Sequence, residues 1–181
     1  MELNLIAAVT KDWGIGAKGA MLCSLPEDMA FFRTMTAGAV VIMGRATLEA
    51  LPEAKPLKGR DNIILTRNEA YVCEGASVVH SAAQALEAAA EIVVERIARG
   101  ESMPQVYVIG GGEVYRQLLP YCAGAWITKM ELDAPAEVFF PDLDALPDWR
   151  LTHEGETLSS VKDGVAFCIC RYTNTAPAAA L

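Results

Sequence analysis

The segment Val106-Tyr107-Val108-Ile109-Gly110-Gly111-Gly112-Glu113-Val114-Tyr115 constrains this chain more than any other. A β-branched strand runs into three glycines and then into a helical pattern. Such a turn presents backbone N–H groups and a positive helix end to an anion, most often a phosphate. Two earlier segments share this grammar. Val40-Val41-Ile42-Met43-Gly44-Arg45 ends a strand in a glycine and a cation, and Ile63-Ile64-Leu65-Thr66-Arg67 ends one in a hydroxyl and a cation. Three strand ends with phosphate chemistry point to a nucleotide with more than one phosphate cluster. The competing reading of the triple glycine is a tight turn that lets helix and strand pack closely. The segment also lacks the third spaced glycine and the downstream acid of the usual dinucleotide fingerprint.

A length of 181 residues fits one domain with a sizeable core. Apolar residues make up 52% and are evenly spread, so no stretch suits a bilayer. The start, Met1-Glu2-Leu3-Asn4-Leu5, has no basic signal region and reads as a first strand, which predicts a cytoplasmic protein. A net charge of −8 argues against nucleic-acid binding. An anionic nucleotide then needs a local island of cations, for which Arg45 and Arg67 are the candidates. Cys23, Cys73, Cys122, Cys168 and Cys170 form no pair with metal-motif spacing. Cys168 and Cys170 alternate on a strand and read as small core residues. Free thiols in a reducing compartment, and no metal, are expected.

Strands and helices alternate for most of the length. Strands are predicted at Leu3 to Val9, Val40 to Met43, Asn62 to Thr66, Ser77 to His80 and Gln105 to Ile109. Helices are predicted at Pro26 to Met35, Arg45 to Leu51, Ala82 to Arg99 and Glu113 to Leu119. Ser24 and Glu27 suggest a capping box for the first helix. Leu86, Ala90, Val93 and Ile97 mark one face of the third. The last third reads as strands alone, at Ala125 to Leu132, Arg150 to Glu156 and Val165 to Thr173. The expected fold is a single α/β domain over residues 1–175, with residues 176–181 a disordered tail. Its central, mostly parallel sheet ends in an antiparallel hairpin and is flanked by about four helices.

Trp13-Gly14-Ile15-Gly16-Ala17-Lys18-Gly19-Ala20-Met21 follows the first buried strand, and its glycines suggest a mobile lid. Asp28 lies directly beyond it. Asp28, Phe31, Phe32 and Met35 stand at i, i+3, i+4 and i+7, so a carboxylate shares a helix face with three large apolar side chains. That costs free energy unless the acid has a partner. Placement in a helix's first turn, where the macrodipole favours acids, is the plainer account.

Six short motifs now stand in one order: Leu5-Ile6-Ala7-Ala8, Gly19-Ala20-Met21, Leu25-Pro26-Glu27-Asp28, Val41 to Thr47, Gly59 to Leu65 and Val108 to Gly112. In that order and spacing the chain resembles the chromosomal-type dihydrofolate reductases over nearly its whole length. The resemblance implies NADPH as cofactor and hydride transfer to C6 of dihydrofolate with protonation at N5. It implies that Asp28 binds the pterin, that Thr128 braces that carboxylate, and that Met21 acts beside the reacting atoms. Ile6, Met29, Phe32, Leu51 and Leu57 match the substrate's apolar walls, and Arg60 matches the grip on its glutamate carboxylate. Ala8, Ile15, Gly19 and Met21 match the lid and wall at the nicotinamide. Gly44, Arg45, Ala46 and Thr47 match one nucleotide-binding helix start. Ile109, Gly110, Gly111, Gly112, Glu113, Val114 and Tyr115 match the other, with Gly110 and Gly111 joined by a cis peptide. Leu65, Thr66 and Arg67, with Arg45, match the surroundings of the adenosine 2′-phosphate. A monomer and binding of antifolate-type molecules are also implied.

The chain departs from the family at several places. Cys23 stands where a Trp is usual, which predicts altered affinity for diaminopyrimidine inhibitors. Ala46 replaces a cationic or polar residue, the helix and loop from Ala82 to Pro104 are longer, and Ala136-Glu137 replaces a lid-holding Gly-Asp pair. Two alternatives stay open. A related reductase of a pyrimidine intermediate in riboflavin synthesis shares the fold and the NADPH site, and Asp28 with Arg60 argues against it. The other is an NADPH-binding module without catalysis.

Overall fold

The computed structural model describes residues 1–179. Of the segment 176–181, Ala180 and Leu181 lie outside the described residues, and the Ala178 N–H donates to the Pro120 carbonyl at 2.8 Å. In chain order the strands are β1 (Leu3–Val9), β2 (Gly14–Ala17), β3 (Ala20–Met21), β4 (Val40–Gly44), β5 (Asp61–Leu65), β6 (Ser77–Val79), β7 (Val106–Gly110), β8 (Gly124–Met130), β9 (Val138–Phe139), β10 (Trp149–Glu154), β11 (Leu158–Ser159) and β12 (Ala166–Asn174). The helices are α1 (Pro26–Thr36), α2 (Arg45–Ala50), α3 (Ala82–Ala98) and α4 (Gly112–Leu118). The eight strands and four helices read from the sequence are all present in that order, with ends shifted by a residue or two, as frayed termini allow, whereas the short strands β2, β3, β9 and β11 were not predicted.

The main sheet runs β10-β12-β8-β1-β7-β4-β5-β6, with β11 on the outside of β12. Pairings from β8 through β6 are parallel, while β12 is antiparallel to β8, β10 and β11. Parallel strands are buried on both faces and read as continuous apolar runs. β1 and β4 obey this: Leu3, Leu5, Val40, Val41, Ile42 and Met43 are all buried. β8 alternates instead, putting Ala125 and Ile127 on one face and Trp126 and Thr128 on the other. A second sheet, β3-β2-β9, forms the glycine lid and its support.

Two local expectations are corrected. The Ser24–Glu27 capping box does not form: Leu25 is the N-cap of α1 and no side chain caps it. Glu27 is used across the fold instead, accepting from the Val161 N–H at 2.8 Å and the Ser160 hydroxyl at 3.1 Å. The apolar stripe of α3 is rotated from the predicted one. Ala85, Leu86, Ala89 and Val93 are buried, whereas Ile97 is 49% exposed. In the last turn Arg96 bonds the Gly38 carbonyl at 2.7 Å and Asp61 at 3.3 Å, just ahead of β4 and at the start of β5.

Ile42 is fully buried in the middle of β4, between β5 and β7. Ile42→Ala is expected to lower stability by about 2–5 kcal/mol through lost burial and a residual cavity. Chemical denaturation should show a lower midpoint at an unchanged slope.

Candidate active site

The carboxyl ends of β1, β4, β5 and β7 lie side by side, the place where open α/β sheets bind ligands. Gly44 at the end of β4 pairs in register with Leu65, and Met43 with Gly110. The segments bearing Arg45 and Thr66-Arg67 are therefore neighbours. Gly110 and Gly111 are joined by a cis peptide, as the resemblance implied. The two glycine turns approach closely: a Cβ on Gly44 would lie 3.1 Å from Val114 Cγ2 and 3.9 Å from Gly111 N. One on Gly111 would lie 3.3 Å from the Thr47 hydroxyl. Neither α2 nor α4 has a side-chain N-cap, so their first N–H groups are left for another acceptor.

The third glycine has a different task. A Cβ on Gly112 would fall 2.6 Å from Val138 Cγ1 and 3.2 Å from the Phe139 carbonyl. The turn thus packs directly on β9, which also holds the lid. Gly110 has φ 118°, and its Cβ would meet the Tyr115 ring at 3.3 Å. Tyr115 is buried and donates to the Ile6 carbonyl at 2.7 Å, which ties the turn to β1. Burial and the nearby Asp28 charge push its phenol well above the ordinary range. Arg45 and Arg67 are exposed. Arg45 is 3.7 Å from Glu49 and lies over the Tyr71 ring. Ala46 is exposed, and Thr66 is buried with its hydroxyl accepting from Asn68 N–H at 3.2 Å. Leu65 and Val114 are buried, Ile109 is half-buried, and Glu113 is exposed and bonded to Arg116 and Gln117.

On the other side of β1 the Thr128 hydroxyl donates to Asp28 Oδ1 at 2.6 Å, across 100 residues of sequence. Thr128 is 1% exposed and Asp28 is half-buried. Burial raises the Asp28 pKa and the Thr128 bond opposes the rise, since it favours the charged form. Phe31, Phe32 and Met35 pack with Ile6, Tyr107, Ile109 and Trp126 to wall this acid. Leu51 and Leu57 belong to a separate cluster around Met43 and Ile64, and Ile109 touches both clusters. Met29 is half-buried on α1. Trp126 was missed in the sequence. It stands edge-on to Phe31 at 5.6 Å, and its place two residues before Thr128 on one strand face was the available signal.

Arg60 is held firmly: Nε donates to the Thr36 carbonyl, Nη1 to the Lys58 carbonyl, and Nη2 to the Arg33 carbonyl and the Thr36 hydroxyl, all within 3.1 Å. One Nη1 hydrogen is left over of the five that guanidinium offers. The lid turns at Gly19, with φ 76°, and pairs Met21 with Gly16. Met21 is 65% exposed, while Ile15 and Ala8 are half-buried. Glu137 accepts the Lys18 N–H at 2.8 Å and donates its own N–H to the Gly16 carbonyl at 2.9 Å, which ties it to the glycine-rich segment at both residues. Cys23 packs half-buried beside Leu25, Met130 and Phe167.

A parallel sheet with two glycine turns at the carboxyl ends of its strands, and a half-buried acid in an apolar wall beside them, is the arrangement of a nucleotide-dependent α/β enzyme. A family model described as dihydrofolate reductase matches residues 2–174. The dihydrofolate reductase of Neisseria gonorrhoeae is 38% identical over 172 residues, covering 95% of this chain and 98% of that protein. That of Mycobacterium tuberculosis is 34% identical over 162 residues, covering 84% and 91%. A solved structure of the Enterococcus faecalis enzyme, complexed with NADP(H) and RAB-propyl, superposes with a TM-score of 0.76 at 29% identity and covers 96% of each chain. The chain belongs to the dihydrofolate reductase family.

Thr128→Val keeps the volume and removes the hydroxyl. Loss of a hydrogen bond to a charged group is expected to cost about 1.5–3 kcal/mol, read as roughly a tenfold or greater fall in kcat/KM. The missing bond no longer favours the carboxylate, so the Asp28 midpoint in the kcat/KM–pH profile should move to higher pH.

Proposed function

We propose that Asp28, braced by Thr128, holds the pterin of dihydrofolate through its ring N–H and amino group, and that this anchoring sets C6 before the cofactor. The chain reduces 7,8-dihydrofolate to 5,6,7,8-tetrahydrofolate. NADPH, when bound, supplies the hydride. The single observation that carries the site reading is the 2.6 Å Thr128–Asp28 bond in an otherwise apolar wall. A carboxylate placed there offers two acceptor oxygens and has no ion pair among the described residues, which suits a donor pair on a flat heterocycle. Burial raises its pKa above the ordinary carboxylate value, against the pull of the Thr128 bond. In this reading Asp28 promotes protonation of N5, with water carrying the proton under the lid.

The remaining roles follow the walls already described. Ile6, Met29, Phe32, Leu51 and Leu57 enclose the pterin and the aminobenzoyl ring, and antifolate-type molecules use the same walls. Arg60 meets the glutamate carboxylate with the N–H its backbone bonds leave. Ala8, Ile15, Gly19 and Met21 cover the nicotinamide. Gly44 to Thr47 and Ile109 to Tyr115 hold the phosphates between the two glycine turns. Arg45, Thr66 and Arg67 face the 2′-phosphate. What supports this last assignment is that the ends of β4 and β5 are adjacent and both carry an exposed cation. The functional unit is residues 1–175, and the protein works as a cytoplasmic monomer without nucleic acid. Five free cysteines fit a reducing compartment, and no described helix is long and apolar enough to cross a membrane.

Loss of NADPH absorbance in the presence and absence of dihydrofolate tests the reaction, and oxidation without dependence on dihydrofolate would overturn it. Asp28→Asn is expected to cut turnover at neutral pH by on the order of a hundredfold. The same variant should unfold at a higher temperature at neutral pH. The raised Asp28 pKa means the native state holds its proton more tightly than the unfolded one, so the wild type loses stability as pH rises through that range. The difference should vanish below the ordinary carboxylate range, where both side chains are neutral. Arg45→Ala with Arg67→Ala should raise KM for NADPH by at least about tenfold while leaving that for NADH nearly unchanged, since Arg is suited to grip a phosphate.

A further inference from the structure

The sheet face opposite the Asp28–Thr128 pair carries ligand-type side chains that the reductase reaction does not use. In the β8–β12 ladder Thr128 stands opposite Ile169, whereas Cys168 stands opposite Lys129 and Cys170 opposite Ile127. The two cysteines therefore share the far face, with Sγ 3.6 Å from Sγ. Glu154 on β10 lies directly across the next ladder from Cys170. Its carboxylate and the two sulfurs all lie within 4.8 Å of one another. This trio is the one such cluster found among the described residues.

The spacing suits a shared metal ion better than a sulfur–sulfur bond. Two thiolates on one tetrahedral centre at about 2.3 Å each lie about 3.8 Å apart, close to the observed separation. Alternate residues of a strand have Cα atoms about 6.7 Å apart with parallel side chains, at the far limit for a disulfide. The trio is also graded in depth: Cys170 is buried, Cys168 half-buried and Glu154 exposed, so a cation enters from the Glu154 side. We propose that Glu154, Cys168 and Cys170 form a binding site for one soft d10 divalent cation of the zinc or cadmium type, with a fourth position open to water.

Binding exchanges protons for metal. The cation displaces one proton from each thiol, two sulfur–metal bonds form, and the carboxylate adds a third. Two thiolates, a carboxylate and a divalent cation sum to −1, and the Lys129 cation opposite Cys168 shares its charge with Asp144. Each thiol must lose its proton to bind the cation, so uptake releases protons and strengthens with pH. Glu154, Cys168 and Lys129 are the charged or titratable groups around Cys170, and Lys129 is itself held by Asp144 at 2.7 Å. Spacing along the chain hid the cluster, because its third member comes from another strand.

Cadmium titration of the reduced, chelator-treated full chain tests the site. Thiolate-to-cadmium charge-transfer absorption is expected to saturate at one equivalent, with two protons released per ion. Cys168→Ser should abolish that absorption, and Glu154→Gln should weaken binding on the order of tenfold. Both variants should keep dihydrofolate reduction at the wild-type rate, which separates this site from the reductase site. If Cys170→Ser fails to fold, the half-buried Cys168→Ser decides. Unchanged absorption in Cys168→Ser, its loss instead in Cys23→Ser or Cys73→Ser, or no saturable absorption at equimolar metal would overturn the proposal.

Discussion

Strand β1 lies between β7 and β8, parallel to both, and its burial on both faces leaves it no freedom of register. A slip of one residue would turn its whole apolar set to the wrong side. With β1 fixed, β7 delivers the triple glycine to one side of its carboxyl end. β8 delivers Thr128 to the other side. Tyr115 then reaches back from α4 to the Ile6 carbonyl, so the triple-glycine turn and the apolar wall around Asp28 are measured from the same strand. The geometry at the reacting centre is inherited from a hydrophobic constraint rather than from polar contacts within the site.

The acid of the site shows how two opposing effects set one property. Burial alone drives Asp28 toward its neutral form, and the short Thr128 bond pulls the other way. An acid with no partner in that wall would cost stability for nothing; one with a stronger partner, such as an arginine, would stay ionised at every working pH. A single hydroxyl is the intermediate choice. It orients the carboxylate while leaving its proton affinity high.

Much of this was legible in the residues. The i, i+3, i+4, i+7 pattern of Asp28, Phe31, Phe32 and Met35 placed an acid on an apolar face, and its three apolar members pack into one cluster with Ile6, Tyr107 and Trp126. The strand ends at Gly44, Leu65 and Gly110 were read as phosphate chemistry, and the sheet sets them side by side. What the sequence hid was long-range partnership. Glu27 read as half of a local capping box, yet its acceptors' donors sit at Ser160 and Val161. Trp126 carried no motif, and its meaning comes from the Phe31 ring it meets. The stripe of α3 was misplaced because which of its residues are buried is set by the strands it packs on, as Arg96's bonds to Gly38 and Asp61 show, which no helical period records.

The contact between Gly112 and β9 has a thermodynamic consequence. Val138 is paired with Gly16 of the lid and also lies where a side chain on residue 112 would have to go. The glycine turn and the lid hairpin are thus two ends of one joint. By reciprocity, whatever free energy an occupied turn lends to a closed lid, a closed lid returns to the occupant in equal measure. Enlarging residue 112 would break that exchange in both directions at once.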